Sequence, residues 1–249
     1  MTDEILRSSL MAKLAVNVDH VATLREARGA TYPEPIAAAI AAETAGADGI
    51  VVHLRGDRRH IQERDVRLLR DIVRTKLILE MAGTSEMLGI AMDIKPDSVT
   101  LVPEKREELT TEGGLDLITT QEQTGEAVSI LKNEGIAVCI FIDPDLEQIK
   151  LAHKLDADMI ELHTGAFCEA RTKRQKQLEM TKIIDAAKIG TKLKLEVNAG
   201  HGICYNTIKA FKGLHEIGEF SIGHSIVSRA ILTGMEQAVR DMKRLISEL

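Results

Sequence analysis

"PEPIAAAIAAETAGADGIVVHLR", residues 33–55, decides how this chain folds. Two prolines open it, an alanine-rich body follows, and Gly46 closes that body. This is helix punctuation, because proline is tolerated in a first turn and glycine readily ends a last one. The pattern then changes to an apolar run at 50–54. Near-continuous apolarity over so few residues suits a strand covered on both faces, as strands of a parallel sheet are.

Outward from this stretch the same alternation recurs. Apolar runs at 14–18, 50–54, 77–79, 98–102, 138–142, 159–162, 193–197 and 220–222 predict eight strands. Between them ERDVRLLRDIVR, SEMLGIAMDIK, TGEAVSILKNEG, DLEQIKLAHKLDAD and EARTKRQKQLEMTKIIDAAKIG repeat apolar residues at helical spacing, and GMEQAVRDMKRLISEL predicts a terminal helix. Eight strands alternating with helices predict an α/β fold of the (β/α)8 TIM-barrel type, with an open doubly wound sheet as the competing arrangement. No linker rich in proline, glycine or serine interrupts the chain, so one domain is expected over residues 1–249, with 1–12 as an N-terminal extension.

Composition narrows the functional classes. The 249 residues are 44% hydrophobic but only 2% aromatic, without tryptophan, so the core is aliphatic and base-stacking platforms for nucleic acid are lacking. A net charge of −6 also argues against a polyanionic partner. Three cysteines without paired spacing suit a reducing compartment. The N-terminal segment has acids at its front and no apolar signal-peptide core, and no run is long enough to cross a bilayer. A soluble cytoplasmic protein without membrane or nucleic-acid partners is expected.

A barrel gathers the C-terminal ends of its strands around one mouth, where such enzymes keep their active sites. At or just after the predicted strands stand Asn17, Asp19 and His20; His53 and Arg55; Glu80; Glu104 and Lys105; Asp143; Glu161 and His163; Asn198 and His201; Gly223 and His224. Polar residues end strands wherever strands meet water, but five of the eight histidines fall in these places. Histidines with carboxylates nearby suit proton transfer near neutral pH. Glu80, closing the apolar LILE run, is expected to be desolvated and raised in pKa, as a general base requires, or else paired with an arginine.

In VNAGHG (197–202) His201 sits between two glycines, which let a ligand approach backbone N–H donors closely. The next strand ends in SIGHS, another glycine beside a histidine. Barrel phosphate sites commonly use the loops after strands seven and eight, so a phosphorylated small molecule is the indicated ligand. Arg28 and Arg55, after strands one and two, offer a second anion site, whereas Arg58 and Arg59 read as a charged surface turn. Two phosphorylated substrates or one bisphosphate follow. The polar, glycine-containing stretch 102–117 reads as a lid or an ordinary loop, with Thr110 and Thr111 available to a ligand.

Other chemistries are less well supported. GHGICY lacks a third glycine, and neither GxxxxGK[ST] nor HExxH occurs. A metal on His53, His163, His201 and Glu161 stays open but dispersed; Lys105 is the one lysine placed for a Schiff base, and Cys168 and Cys204 read as small hydrophobes more readily than as nucleophiles.

Taken in order, NVDHVATLREARG, GADGIVVHLRGDRRHIQERDV, LEMA, LVPEKREELTTEGGLD, FIDPD, IELHTG, VNAGHG and IGHSIVSRA resemble the pyridoxine 5'-phosphate synthase family from about residue 14 to the C-terminus. The resemblance implies a TIM barrel with extra helices, assembled as a homo-octamer. It implies condensation of 3-amino-2-oxopropyl phosphate with 1-deoxy-D-xylulose 5-phosphate, with release of phosphate and water and without metal or organic cofactor. It implies His53 and Glu80 as proton acceptors, His201 as proton donor and Glu161 as a stabiliser of transition-state charge. Asn17, Arg28, Gly202, Gly223 and His224 would hold the amino-ketone phosphate, and Asp19, His20, Arg55, His60 and Thr110 the deoxyxylulose phosphate. Gly56 and Phe167 depart from the family pattern, neither at a proton-carrying position, and bear on the hydrogen bonding around the site.

Overall fold

A computed structural model describes residues 11–104 and 113–249. Eight strands, β1 (Lys13–Asn17), β2 (Gly49–His53), β3 (Leu77–Met81), β4 (Ser98–Leu101), β5 (Ala137–Ile142), β6 (Met159–His163), β7 (Glu196–Gly200) and β8 (Ile217–Ile222), close into a barrel in chain order. Every neighbouring pair is parallel, including β8 with β1, so the open sheet is excluded. Around it lie α1 (Asp19–Arg28) and α2 (Pro35–Thr44) after β1, α3 (Glu63–Ile72), α4 (Ser85–Ile94), α5 (Leu117–Asn133), α6 (Leu146–Lys154), α7 (Gly165–Glu169) with α8 (Lys173–Lys192) after β6, and α9 (His224–Thr233) with α10 (Met235–Ser247) after β8. A 3-10 turn at Thr207–Phe211 joins β7 to β8. Among the described residues no helix is long and apolar enough to cross a membrane.

The two faces of each strand differ sharply. Leu14, Val16, Ile50, Val52, Leu77 and Leu79 belong to the large apolar cluster shared with the helices. Ala15, Val51 and Ile78, on alternate positions, form a separate small group inside the barrel. Side chains repeat every second residue along a strand, so the next inward positions toward the mouth are Asn17, His53 and Glu80. Register carries the same face around the ring: His53 pairs with Glu80, Glu80 with Thr100, Glu161 with Asn198 and His163 with Gly200. The site is therefore a consequence of strand parity. Once the outward positions are committed to the helix shell, the polar residues have only the barrel interior to occupy.

Several features depart from the sequence reading, among them β8, which begins at Ile217 and not at 220. β7 begins at Glu196, not Leu193, because Leu193 caps α8, Lys194 turns the chain at φ 65°, and Leu195 is buried in the connection. The helices α1 and α9 were not expected. DHVATLREAR and HSIVSRAILT place functional-looking polar residues in their first turns, which hides the helical period. Arg25 nevertheless buries its guanidinium on Asp65, with its two terminal nitrogens at 2.9 and 2.6 Å from the carboxylate oxygens, anchoring α1 to the start of α3. Lys105, Thr110, Thr111 and most of the expected lid lie outside the described residues, as do positions 1–10 of the expected N-terminal extension.

Candidate active site

On the β1–β4 side, the first turn of α1 is tied to two strands. Asn17 Oδ1 accepts the Asp19 N–H at 2.9 Å and its amide donates to Asp19 Oδ2 at 2.8 Å, while Asp19 Oδ1 accepts the His53 N–H at 2.8 Å. His53 Nε2 lies 2.9 Å from Glu104 Oε1, whose other oxygen accepts the Gly56 N–H at 2.9 Å. Burial works against ionisation of Glu104, yet the hydrogen bonds from His53 and Gly56 outweigh it and keep its pKa below the ordinary value. An ionised Glu104 requires Nε2 to donate, which leaves the Nδ1 lone pair of His53 toward Glu80 Oε2, 3.9 Å away. Burial, then the charges of Glu161 and Asp19, push the Glu80 carboxyl well above its usual range. A carboxyl that favours its proton thus lies 3.9 Å from a ring nitrogen, close to the reach that proton exchange needs.

Deeper in the barrel, Glu161 is 6% exposed. Burial, with Glu219 as the next cause, pushes its pKa up to about 8. A Cβ on Gly200 would fall 1.9 Å from Glu161 Oε1, so only glycine at that position lets the carboxyl lie where it does.

The β6–β8 side carries the GHG loop. His201 (φ 70°) and Gly202 (φ 77°) both take left-handed backbone, for a non-glycine residue a strain of roughly 1–3 kcal/mol. Fully buried Thr164 fixes this turn, its hydroxyl lying 3.0 Å from the Gly200 carbonyl oxygen and 2.6 Å from that of His201. The His201 ring stands 4.9 Å from that of His163, and burial followed by the His163 charge lowers its pKa against an opposing pull from Glu169. Gly223 packs on Asn17, where a Cβ would meet the Asn17 Cβ at 2.9 Å. His224 opens α9, its ring 5.5 Å from that of His20, whose pKa burial depresses. Neither N-cap residue, Val18 of α1 or Gly223 of α9, makes a side-chain cap; in α1 the Asp19 N–H is already taken by Asn17, whereas the first N–H groups of α9 are open to an anion. A cavity of about 730 Å³ beside this loop is lined by Asp143, His163, Gly165, Glu169, Lys182 and His201 among others.

The structure thus brings together Asn17, Asp19, His20, His53, Glu80, Glu161, His201, Gly202, Gly223 and His224 at or below one mouth. His60 is joined to the cluster through ring contact with His53 at 6.1 Å, its pKa lowered by burial. Arg55 is buried, 3.5 Å from Asp57. Arg28 is not brought in: it is exposed in the last turn of α1 and forms no ion pair among the described residues. Arg58 pairs with Glu63 and Glu86, and Arg59 with Asp57, as a surface turn would. The dispersed metal set is not assembled. Asp19, His53 and Glu80 do place one ligand atom each within 4.8 Å of the others, but both Asp19 oxygens already accept hydrogen bonds and Glu80 favours its proton. Sequence reasoning gave no role to Glu104, Asp143 or Thr164. Their positions after strands were the only signal, since their partners lie 51, 20 and 36–37 residues away.

Comparison with known proteins gives the chain's family. Residues 14–248 match the family described as "Pyridoxal phosphate biosynthesis protein PdxJ". The pyridoxine 5'-phosphate synthase of Desulforapulum autotrophicum is 72% identical over 239 residues, 96% of this chain and 100% of that protein. The synthase of Desulfatibacillum aliphaticivorans is 58% identical over the same shares. Among solved structures, thiamine phosphate pyrophosphorylase from Pyrococcus furiosus superposes with a TM-score of 0.60 over 98% of each chain at 15% identity, a likeness of fold alone.

Proposed function

Since the chain belongs to the PdxJ family of pyridoxine 5'-phosphate synthases, enzymes of vitamin B6 biosynthesis, we propose that it joins 3-amino-2-oxopropyl phosphate to 1-deoxy-D-xylulose 5-phosphate, releasing phosphate and water. The observation that carries this reading is the His53–Glu80 pair, set inside the barrel with Glu161 beneath it and His201 on the opposite loop. Ring closure from an amine and a ketone needs protons moved at several carbons, which one acid/base group cannot serve.

In this reading the substrate amine attacks the ketone and forms the imine as water leaves, so no enzyme lysine is needed. His53 and Glu80 are the proton acceptors as the enamine forms, Glu80 acting in its ionised form, which its raised pKa makes the stronger base. His201 donates toward a departing oxygen, and its burial-lowered pKa makes it a readier proton donor once charged. Glu161, with its raised pKa, offers a carboxyl O–H to developing negative charge without adding a charge of its own. The phosphate of the amino-ketone sits on Gly202, Gly223, His224 and the open first turn of α9, with Asn17 beside it; that of the deoxyxylulose sits with Asp19, His20, Arg55 and His60. Arg28 and Thr110 belong to the same reading as phosphate contacts, as do cytoplasmic residence and assembly as an octamer, to which the exposed Ile231 and Leu232 of α9 would contribute apolar surface.

Purified protein given both phosphates without added metal is expected to form pyridoxine 5'-phosphate and one free phosphate per ring, with full activity after chelation. No product from folded protein rejects the proposal. Activity abolished by chelation favours a metal on Asp19, His53 and Glu80 instead.

A further inference from the structure

One histidine–aspartate pair has no part in the chemistry above. His163 ends β6 at 8% exposure, and its Nδ1 lies 2.9 Å from Asp143 Oδ1. The His163 bond, stronger than the opposing effect of burial, holds the Asp143 carboxyl below its ordinary range, so Asp143 is the acceptor and Nδ1 carries the proton. Nε2 is buried and has no hydrogen-bond partner among the described residues. The same Asp143 oxygen accepts the Gly114 N–H at 3.1 Å, which fixes the carboxylate from a second side.

The ring so held touches two others: Phe141, with centroids 5.3 Å apart at 70°, and His201, with centroids 4.9 Å apart at 55°. Gly165 makes this approach possible: a Cβ there would lie 2.6 Å from His163 Nε2 and 3.2 Å from His201 Cδ2. His201 itself is strained at φ 70°, and its carbonyl is held by the Thr164 hydroxyl.

We propose that His163, oriented by Asp143, is a positioning residue for His201, setting the orientation and charge state of the ring that donates the proton. Two imidazoles this close disfavour double protonation, so the state of one constrains the other. The charged groups around them are Asp143 and Asp145 after β5, Glu169 of α7, and Glu179 and Lys182 of α8, which line the same cavity. Asp143 fixes the tautomer of His163 and its edge toward His201, as the carboxylate of an Asp–His pair does in acyl-transfer enzymes.

The inference rests on the proton-donor role proposed for His201, and its test separates the two. In the full-length protein, His163→Gln keeps a donor for Asp143 but removes the ring. It is expected to lower kcat by at least ~10-fold, the scale of a misplaced catalytic group, while KM moves by less than about threefold. The His201 resonance in NMR is expected to titrate at higher pH by about half a unit or more, since a neighbouring positive charge is gone. Asp143→Asn, at a half-exposed side chain that the fold tolerates, is expected to lower kcat and to move the His201 titration as well. His201 titrating at its wild-type pH in folded His163→Gln, or in folded Asp143→Asn should the first variant fail to fold, overturns the inference, as does kcat within threefold of wild type. Wild-type protein without synthase activity would instead overturn the reading of His201 as the donor, and leave the titration arm to judge the pair.

Discussion

The outward and inward faces of the same strands behave as two different proteins. Outward, Leu77 and Leu79 are fully buried among helix side chains, and their chemistry is interchangeable with that of any aliphatic residue of similar volume. Inward, one residue further along β3, Glu80 is mostly buried, its side chain 15% exposed, and carries a titratable group. The outer face stabilises the barrel by burying hydrocarbon; the inner face costs stability and in return holds acids protonated at neutral pH. Sites built this way are destabilising by construction and are tolerated because the helix shell overcompensates.

Substitutions on one strand break this contrast most directly. Glu80→Gln keeps shape and removes proton exchange, so turnover is expected to fall by ~10²-fold or more in a steady-state assay while the melting temperature holds or rises. Near-normal turnover would detach Glu80 from the mechanism. Leu77→Ala, outward and at the far end of β3, is expected to do the converse: a loss of about 2–5 kcal/mol in denaturant unfolding, with kcat of the folded enzyme within about twofold. A large kcat loss there would show that the two faces are not separable.

Much of the outer face was legible in the sequence, because apolar runs between helical periods report burial alone. IVVHL marks β2 to the residue or so, since both its neighbours and its own pattern are apolar. β7 was misplaced for the same reason that β2 was found: Leu193 and Leu195 attract a strand assignment, whereas Asn198, Ala199 and Gly200 look like a turn but are the strand. The inner face was legible as a set of residue types at strand ends, and the family resemblance supplied roles. What no pattern supplied was pairing. Glu104 on His53 and Asp143 on His163 depend on which strands become neighbours after closure, and Thr164 matters only because its hydroxyl reaches a loop from a different strand. Arg28 shows the opposite limit, a motif position that this chain alone leaves outside the cluster.

The central claim is that burial inside the barrel, not a neighbouring base, keeps the inner carboxyls protonated. Glu161, raised to about 8 in the fold against an ordinary value near 4.5, tests it through stability. A folded pKa above the unfolded one means the native state binds more protons between the two values. The contribution of Glu161 is therefore fully present below about pH 4.5 and is lost as the pH rises through about 8. Melting temperature measured from pH 5 to 9 should fall more steeply for wild type than for Glu161→Gln, whose amide mimics the protonated carboxyl, the two curves lying closest at the acid end and the wild type dropping below the variant as the pH rises. Parallel curves across that range would mean that Glu161 is ionised in the fold, and the account of the inner face would be contradicted.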